Sequence, residues 1–167
     1  YMGLELKSPF IAASSGYTYD LEKIVALARS GVGAVVLKSL FEEQISNEIN
    51  YLEDVSADYT ENQDFLQYYV KEHSLGKYVQ LIKDAKREAG IPIIASINCY
   101  SLNNWTEFAK EIEKAGADAL EVNIYNIPLN GNKPSSEIEA EYYKIVQSIT
   151  QGIRIPVAVK IADSFTN

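Results

Sequence analysis

A chain of 167 residues is long enough to bury one hydrophobic core, and its 47% hydrophobic and 23% charged residues suit a globular protein. A net charge of −8 with no basic cluster argues against binding a phosphate backbone, so nucleic acid is not an expected partner. No apolar run approaches the roughly 20 residues that span a bilayer, so no membrane partner is expected. A single His and a single Cys exclude an ordinary structural zinc site. Tyr1-Met2-Gly3-Leu4-Glu5 lacks the pattern of a secretory signal, and the lone Cys99 allows no internal disulfide. Both point to a reducing, cytoplasmic setting.

Phe10-Ile11-Ala12-Ala13 is a short apolar run ending in Ser14-Ser15-Gly16. Asp20 is placed to cap a helix whose apolar positions, Leu21, Ile24, Val25 and Ala28, follow helical spacing. Gly31 ends it, and Ala34-Val35-Val36-Leu37 reads as a buried strand. From Phe41 to Glu72 nine Asp or Glu residues stand against Lys71 alone, so residues 41–74 are expected to form a long acidic, Tyr-rich loop. Leu75, Val79, Ile82 and Ala85 then share one helical face, with Gly90 at its end.

Ile93-Ile94-Ala95-Ser96-Ile97 is the third strand; Asn103 or Asn104 caps a helix with Phe108, Ile112 and Ala115 inward. Leu120-Glu121-Val122-Asn123-Ile124 is the fourth strand. Ser136 and Glu139 have capping-box spacing before a helix carrying Tyr142, Ile145, Val146 and Ile149. Pro156-Val157-Ala158-Val159-Lys160-Ile161 is the fifth.

Apolar strands alternating with amphipathic helices mean a covered parallel sheet. Two faint repeats favour a barrel over a doubly wound sheet: Gly31 to Lys38 matches Gly116 to Asn123, and Pro92 to Ser96 matches Pro156 to Lys160. No glycine-rich phosphate turn follows the first strand. The expectation is therefore an α/β chain, a parallel (β/α)8 TIM-type barrel represented by five strands and four helices.

In a barrel, polar residues ending the strands collect on the face where chemistry is done. Lys38 and Lys160 either extend into solvent or, with Asn123, build an anion-stabilising site. Such a site suits a flavin, which gains negative charge on reduction. Ser96 and Asn98 alternate to the same side and are expected to line its mouth. Cys99, His73 and Trp105 read as a buried small residue, a surface residue and a packing residue.

Ser8-Pro9-Phe10-Ile11-Ala12-Ala13-Ser14, Leu37-Lys38-Ser39, Glu121-Val122-Asn123 and Val157-Ala158-Val159-Lys160, in this order, resemble the dihydroorotate dehydrogenase family. The likeness is to the class 1 enzymes and their bacterial dihydroorotate dehydrogenase-like relatives, and it runs over essentially the whole chain. It implies an FMN-dependent barrel that oxidises a dihydropyrimidine. By that resemblance Ala13, Ser14, Lys38, Ser39, Asn123 and Lys160 contact the flavin, and Lys38 and Asn123 also approach the substrate. It also implies that Tyr51, Tyr59, Tyr68 and Tyr69 pack on a lid or a dimer partner.

Three departures accompany the resemblance. The family's catalytic base falls at Asn126, an amide that cannot accept a proton usefully, with Tyr125 beside it. Asp163 stands where a small-residue turn is usual. The strands that hold the FMN phosphate are missing, so residues 1–167 are expected to be the N-terminal part of one barrel domain, truncated before strands six to eight. Open strand edges lead to the expectation of a homo-oligomer. The alternatives are an incomplete barrel acting as an interaction module, and a lyase using Lys160 as a Schiff-base amine.

Overall fold

The computed structural model describes residues 1–55, 63–124 and 134–162, with the backbone alone at 52–55 and 63–67. Apolar runs form the strands β1 (Ile11–Ala12), β2 (Ala34–Val36), β3 (Leu40–Phe41), β4 (Ile93–Asn98), β5 (Ala119–Ile124) and β6 (Val157–Ile161). Between them lie a 3-10 turn (Gly16–Thr18) and the helices α1 (Leu21–Arg29), α2 (Glu42–Val55), α3 (Gln63–Glu88), α4 (Leu102–Lys114) and α5 (Ser135–Gly152). Every pairing is parallel, in the order β1-β2-β4-β5-β6, with β3 also beside β4. The path never reverses direction, as it would in a doubly wound sheet.

The expectation of a (β/α)8 barrel seen through five strands and four helices is corrected. The described residues hold six strands and five α-helices, in an open half-barrel. The added elements come from the stretch 41–74 expected as a loop. β3 runs straight into α2, which sets Ile45 and Ile49 one turn apart against the core, and α3 begins at Gln63. Acidic density hid that stripe.

Glu42 explains why α2 docks. Its buried carboxylate accepts the backbone N–H groups of Tyr100 (2.7 Å) and Ser101 (3.1 Å), and its other oxygen accepts Asn104 Nδ2 (2.6 Å). Lys71 of α3 donates to Asn104 Oδ1 (2.8 Å) and pairs with Glu107 (2.6 Å). A negative charge at a helix N-terminus is favourable, so this clasp ties α2 and α3 to the start of α4.

Caps differ from expectation in two places. Ser101, not Asn103 or Asn104, caps α4 by accepting Asn104 N–H at 3.3 Å. α5 starts one residue after Pro134 with no side-chain cap, so the Ser136–Glu139 box does not form. Asp20 does cap α1, accepting Lys23 N–H at 3.0 Å.

Hydrogen bonds from the Lys23 side chain and backbone hold Asp20 below its ordinary 3.8. A depressed folded-state value means stability present above the unfolded value and lost as pH falls through the folded one. Asp20→Ala should therefore flatten the acid limb of the thermal-stability profile as pH falls below about 4; an unchanged limb would show the cap contributes nothing there.

The sheet has two distinct faces. Val35, Leu37, Ile93, Ala95, Ile97, Leu120, Val122 and Ile124 pack with the helices, around the fully buried Trp105, Phe108 and Ile112. The opposite face begins with Ala34, Val36, Ile94 and Ala119, covered by Met2, Leu4, Leu6 and Ile11 from the N-terminal segment. Gly33 permits that approach: a Cβ there would stand 2.1 Å from the Ser8 carbonyl oxygen. Beyond this apolar layer, towards the C-terminal strand ends, the same face turns polar.

Candidate functional site

Strand alternation sets Ser96, Asn98, Glu121, Asn123 and Lys160 on the face turned away from the helices, between helix-side neighbours such as Ile97 and Val122. Register places Ser96 beside Glu121 and Asn123 beside Lys160. Three adjacent strands thus deliver one polar row, which Ser14 and Ser39 extend past β1 and β2.

Its links are short. Ser14, after β1, accepts Ser39 N–H at 3.0 Å and lies 3.3 Å from Ser39 Oγ. Ser39 Oγ lies 2.7 Å from Ser96 Oγ, and Ser96 Oγ donates to Glu121 Oε1 at 3.0 Å. Lys160 Nζ stands 3.9 Å from that same carboxylate oxygen.

Each hydroxyl has one proton to give. Because Ser96 spends its proton on Glu121, Ser39 must donate to Ser96, and Ser14 to Ser39. All three hydroxyl dipoles therefore point along the row towards the carboxylate, which polarises them cooperatively. Ser39 and Ser96 are buried, Glu121 is 17% exposed and Lys160 is 53% exposed. The row runs from the half-buried Ser14 through buried hydroxyls to an ammonium in contact with solvent. Above it, Asn98 Nδ2 donates to the Asn123 carbonyl at 2.7 Å.

Of the residues expected at the site, Ser14, Ser39, Ser96 and Lys160 are joined through Glu121, and Asn123 sits beside Lys160 in register. Ala13 is exposed on the loop after β1. Lys38 is not brought to this row. Its ammonium lies 5.2 Å from the ring centroid of Tyr19, and it lines a cavity beside α1 and α3 whose wall also includes Ser39 and Tyr78. Tyr59, Tyr125, Asn126 and Asp163 lie outside the described residues.

Burial pushes the Cys99 thiol well above its ordinary range, with the Glu42 charge adding to the effect. Cys99 is thus a buried packing residue and a poor proton acceptor. His73 is exposed and stacks on Tyr69 at 5.8 Å.

Two residues of the site were missed by sequence reasoning. Glu121 is one, because the alternation that brings Asn123 to the polar face applies two positions earlier as well. Tyr78 is the other: its hydroxyl accepts Ser96 N–H at 2.8 Å and donates to the Ser96 carbonyl at 3.0 Å. A polar-tipped aromatic inside the Leu75–Ile82 stripe was the available signal.

No protein-family model matches the chain. Among solved structures it is similar to dihydrodipicolinate synthase from Aquifex aeolicus, with a TM-score of 0.56 at 15% identity, covering 93% of this chain and 46% of that one. The Bacillus anthracis dihydrodipicolinate synthase gives a TM-score of 0.56 at 17% identity, with 93% and 46% covered. These neighbours are (β/α)8 barrels, and at such identity they bear on fold alone. Among curated proteins it is 28% identical to the catalytic subunit of dihydroorotate dehydrogenase B (NAD(+)) of Thermoplasma volcanium, over 99% of this chain and 54% of the relative. It is likewise 28% identical to dihydroorotate dehydrogenase A (fumarate) of Limosilactobacillus reuteri, again over 99% and 54%. The chain spans about half the length of the curated relatives it matches, and across nearly all of its own length it is similar to proteins named dihydroorotate dehydrogenase.

Proposed function

We propose that the chain forms part of an FMN-dependent oxidoreductase of the dihydroorotate dehydrogenase type, acting on a dihydropyrimidine-like small molecule. The observation that carries this reading is Lys160, in register with Asn123 and beside Glu121, on the helix-free face at the C-terminal strand ends. The kinship to proteins named dihydroorotate dehydrogenase supports the same class.

The donor set fits a flavin's polar edge. Lys160 offers an ammonium to solvent, and neutral hydroxyls and amides adjoin it at Ser14, Ser39, Ser96, Asn98 and Asn123. Bound there, the flavin would supply a two-electron acceptor that becomes more negative on reduction. Lys160 stabilises that charge, and Glu121, held by the Ser96 hydroxyl, keeps the ammonium over this face. Lys38 reaches the flavin or substrate only by rotating off Tyr19. Oxidation of a dihydropyrimidine also removes a proton. Asn126, at the expected base position, cannot take it, which favours a substrate other than dihydroorotate within this class.

A Schiff-base role for Lys160 is the competing chemistry. Such lysines are desolvated or set beside another cation; Lys160 is half-exposed and its neighbour is a carboxylate.

The test is an FMN titration by flavin fluorescence on the natural polypeptide carrying this sequence. Lys160→Ala should weaken binding about tenfold or more, the loss of one charge-assisted contact. FMN affinity unchanged by the substitution, or no FMN binding to the parent protein, would overturn the proposal.

A further inference from the structure

Desaturating a dihydropyrimidine ring releases a proton together with the hydride, and a positioned group must take it. The polar row holds a directed path to such a group. Proton counting fixes its sense: Ser14 donates to Ser39, Ser39 to Ser96, and Ser96 to Glu121, over 3.3, 2.7 and 3.0 Å. Hydroxyls aligned in this way are set to pass a proton towards the carboxylate. The 3.3 Å link is the loosest, and catalytic hydrogen bonds are commonly long before a ligand closes on them.

The two ends of the path differ in kind. Ser14 is half-buried on the loop after β1, and its oxygen accepts the Ser39 N–H with one lone pair left unspent. Glu121 is the carboxylate at the other end. The titratable groups facing it among the described residues are the Lys160 ammonium, 3.9 Å away, and the Tyr78 phenol. Burial and the nearby Glu121 charge keep that phenol protonated, so it does not compete for the proton.

We propose that Glu121 is the terminal acceptor of the substrate's proton, reached through Ser14, Ser39 and Ser96. This rests on the flavin reading above and supplies the proton route within it. In the step, one substrate C–H bond breaks with its electron pair, as hydride, towards the flavin. The neighbouring C–H bond gives its electron pair to the new C=C bond and its proton to the Ser14 oxygen. The Ser14, Ser39 and Ser96 protons each move one place along, and Glu121 ends neutral.

The charges balance as well. Before the step, Lys160 and Glu121 offset each other. After it, Glu121 is neutral and the ammonium is free for the negative charge that reduction places on the flavin. Lys160 exchanges one anionic partner for another, and the face gains no net charge. A Glu121 that stayed ionised would compete with the flavin for the same ammonium.

The natural polypeptide carrying this sequence, loaded with FMN, tests the proposal in two ways. The first reads how many protons enter when bound FMN gains two electrons, from the pH dependence of its midpoint potential. Two are expected in the parent, one accompanying reduction itself and one captured at Glu121. Glu121→Gln should take up one; a carboxylate with a merely structural role would leave the count unmoved. Ser96→Ala should still take up two, because Glu121 remains 17% exposed and exchanges protons with solvent. The second reads the rate at which dihydroorotate or dihydrouracil reduces the bound FMN. Ser39→Ala, Ser96→Ala and Glu121→Gln should each slow it about 100-fold. The double serine variant should lose no more than either single one, since both break the same path. An unchanged proton count in Glu121→Gln, or an undiminished rate in both serine variants, would overturn the relay and leave the functional reading standing. No FMN binding, or no reduction by either dihydropyrimidine, overturns that reading and the relay with it.

Discussion

Tyr78→Phe should lower the stability of the fold by about 3 kcal/mol, although it removes a single oxygen atom from a helix. β2 ends at Val36 and β3 begins at Leu40, so β4 has no strand partner on that side at Ser96. The phenol fills the vacancy in the ladder, serving both the N–H and the C=O of Ser96. Burial holds it far above the ordinary phenol range, so it remains a protonated donor at any workable pH.

Phenylalanine keeps the ring and abandons two buried backbone groups, each costing about 1–3 kcal/mol when unpaired. In a chain of this size the melting temperature should fall by roughly 6–12 °C. Urea denaturation measures the loss directly. A change under about 1 kcal/mol would mean that water takes the place of the hydroxyl.

Glu42→Ala should cost about 4 kcal/mol, more than an average substitution, because three donors converge on one buried carboxylate. Two are backbone N–H groups at the start of α4, which no other part of a helix can satisfy. Glu42→Gln keeps one oxygen but turns an NH₂ group towards a donor, so it should lose roughly half as much. Urea midpoints give the global cost. Hydrogen exchange at Tyr100 and Ser101 separates global unfolding from local release, since only these amides speed up if α2 merely detaches. Unchanged exchange and stability in Glu42→Ala would show that the clasp holds nothing.

The strands were legible because each buried one is a continuous run of small or β-branched apolar residues, as in Ala34-Val35-Val36 and Ile93-Ile94. α1 was legible from Asp20 and the spacing of Leu21, Ile24 and Ala28. The acidic stretch was not. Its helix-forming information is two isoleucines, Ile45 and Ile49, plus one carboxylate whose purpose appears only when α4 arrives from far along the chain. No local rule marks Glu42 as buried, since charged residues are almost never so without partners.

The site divides the same way. Lys160 and Asn123 could be placed from strand ends because period-two alternation is local. The hydroxyl row could not, because it links residues 14, 39, 96 and 121, which only strand order makes neighbours. Lys38 shows the opposite limit. Its position after β2 was read from the sequence, but the direction of its side chain depends on Tyr19, a partner that spacing does not reveal.

The unidirectional strand path bears on how the polypeptide assembles during synthesis. Along this path each long strand docks beside the one made before it, so unit after unit can settle onto a growing edge, each pairing closing a loop that contains a helical crossover. One contact breaks that sequence. Met2, Leu4 and Leu6 belong to a cluster that includes Ala119, so this earlier segment finishes packing only once β5 has emerged. Until then these side chains have part of their floor, and the nascent chain carries an unsealed apolar patch.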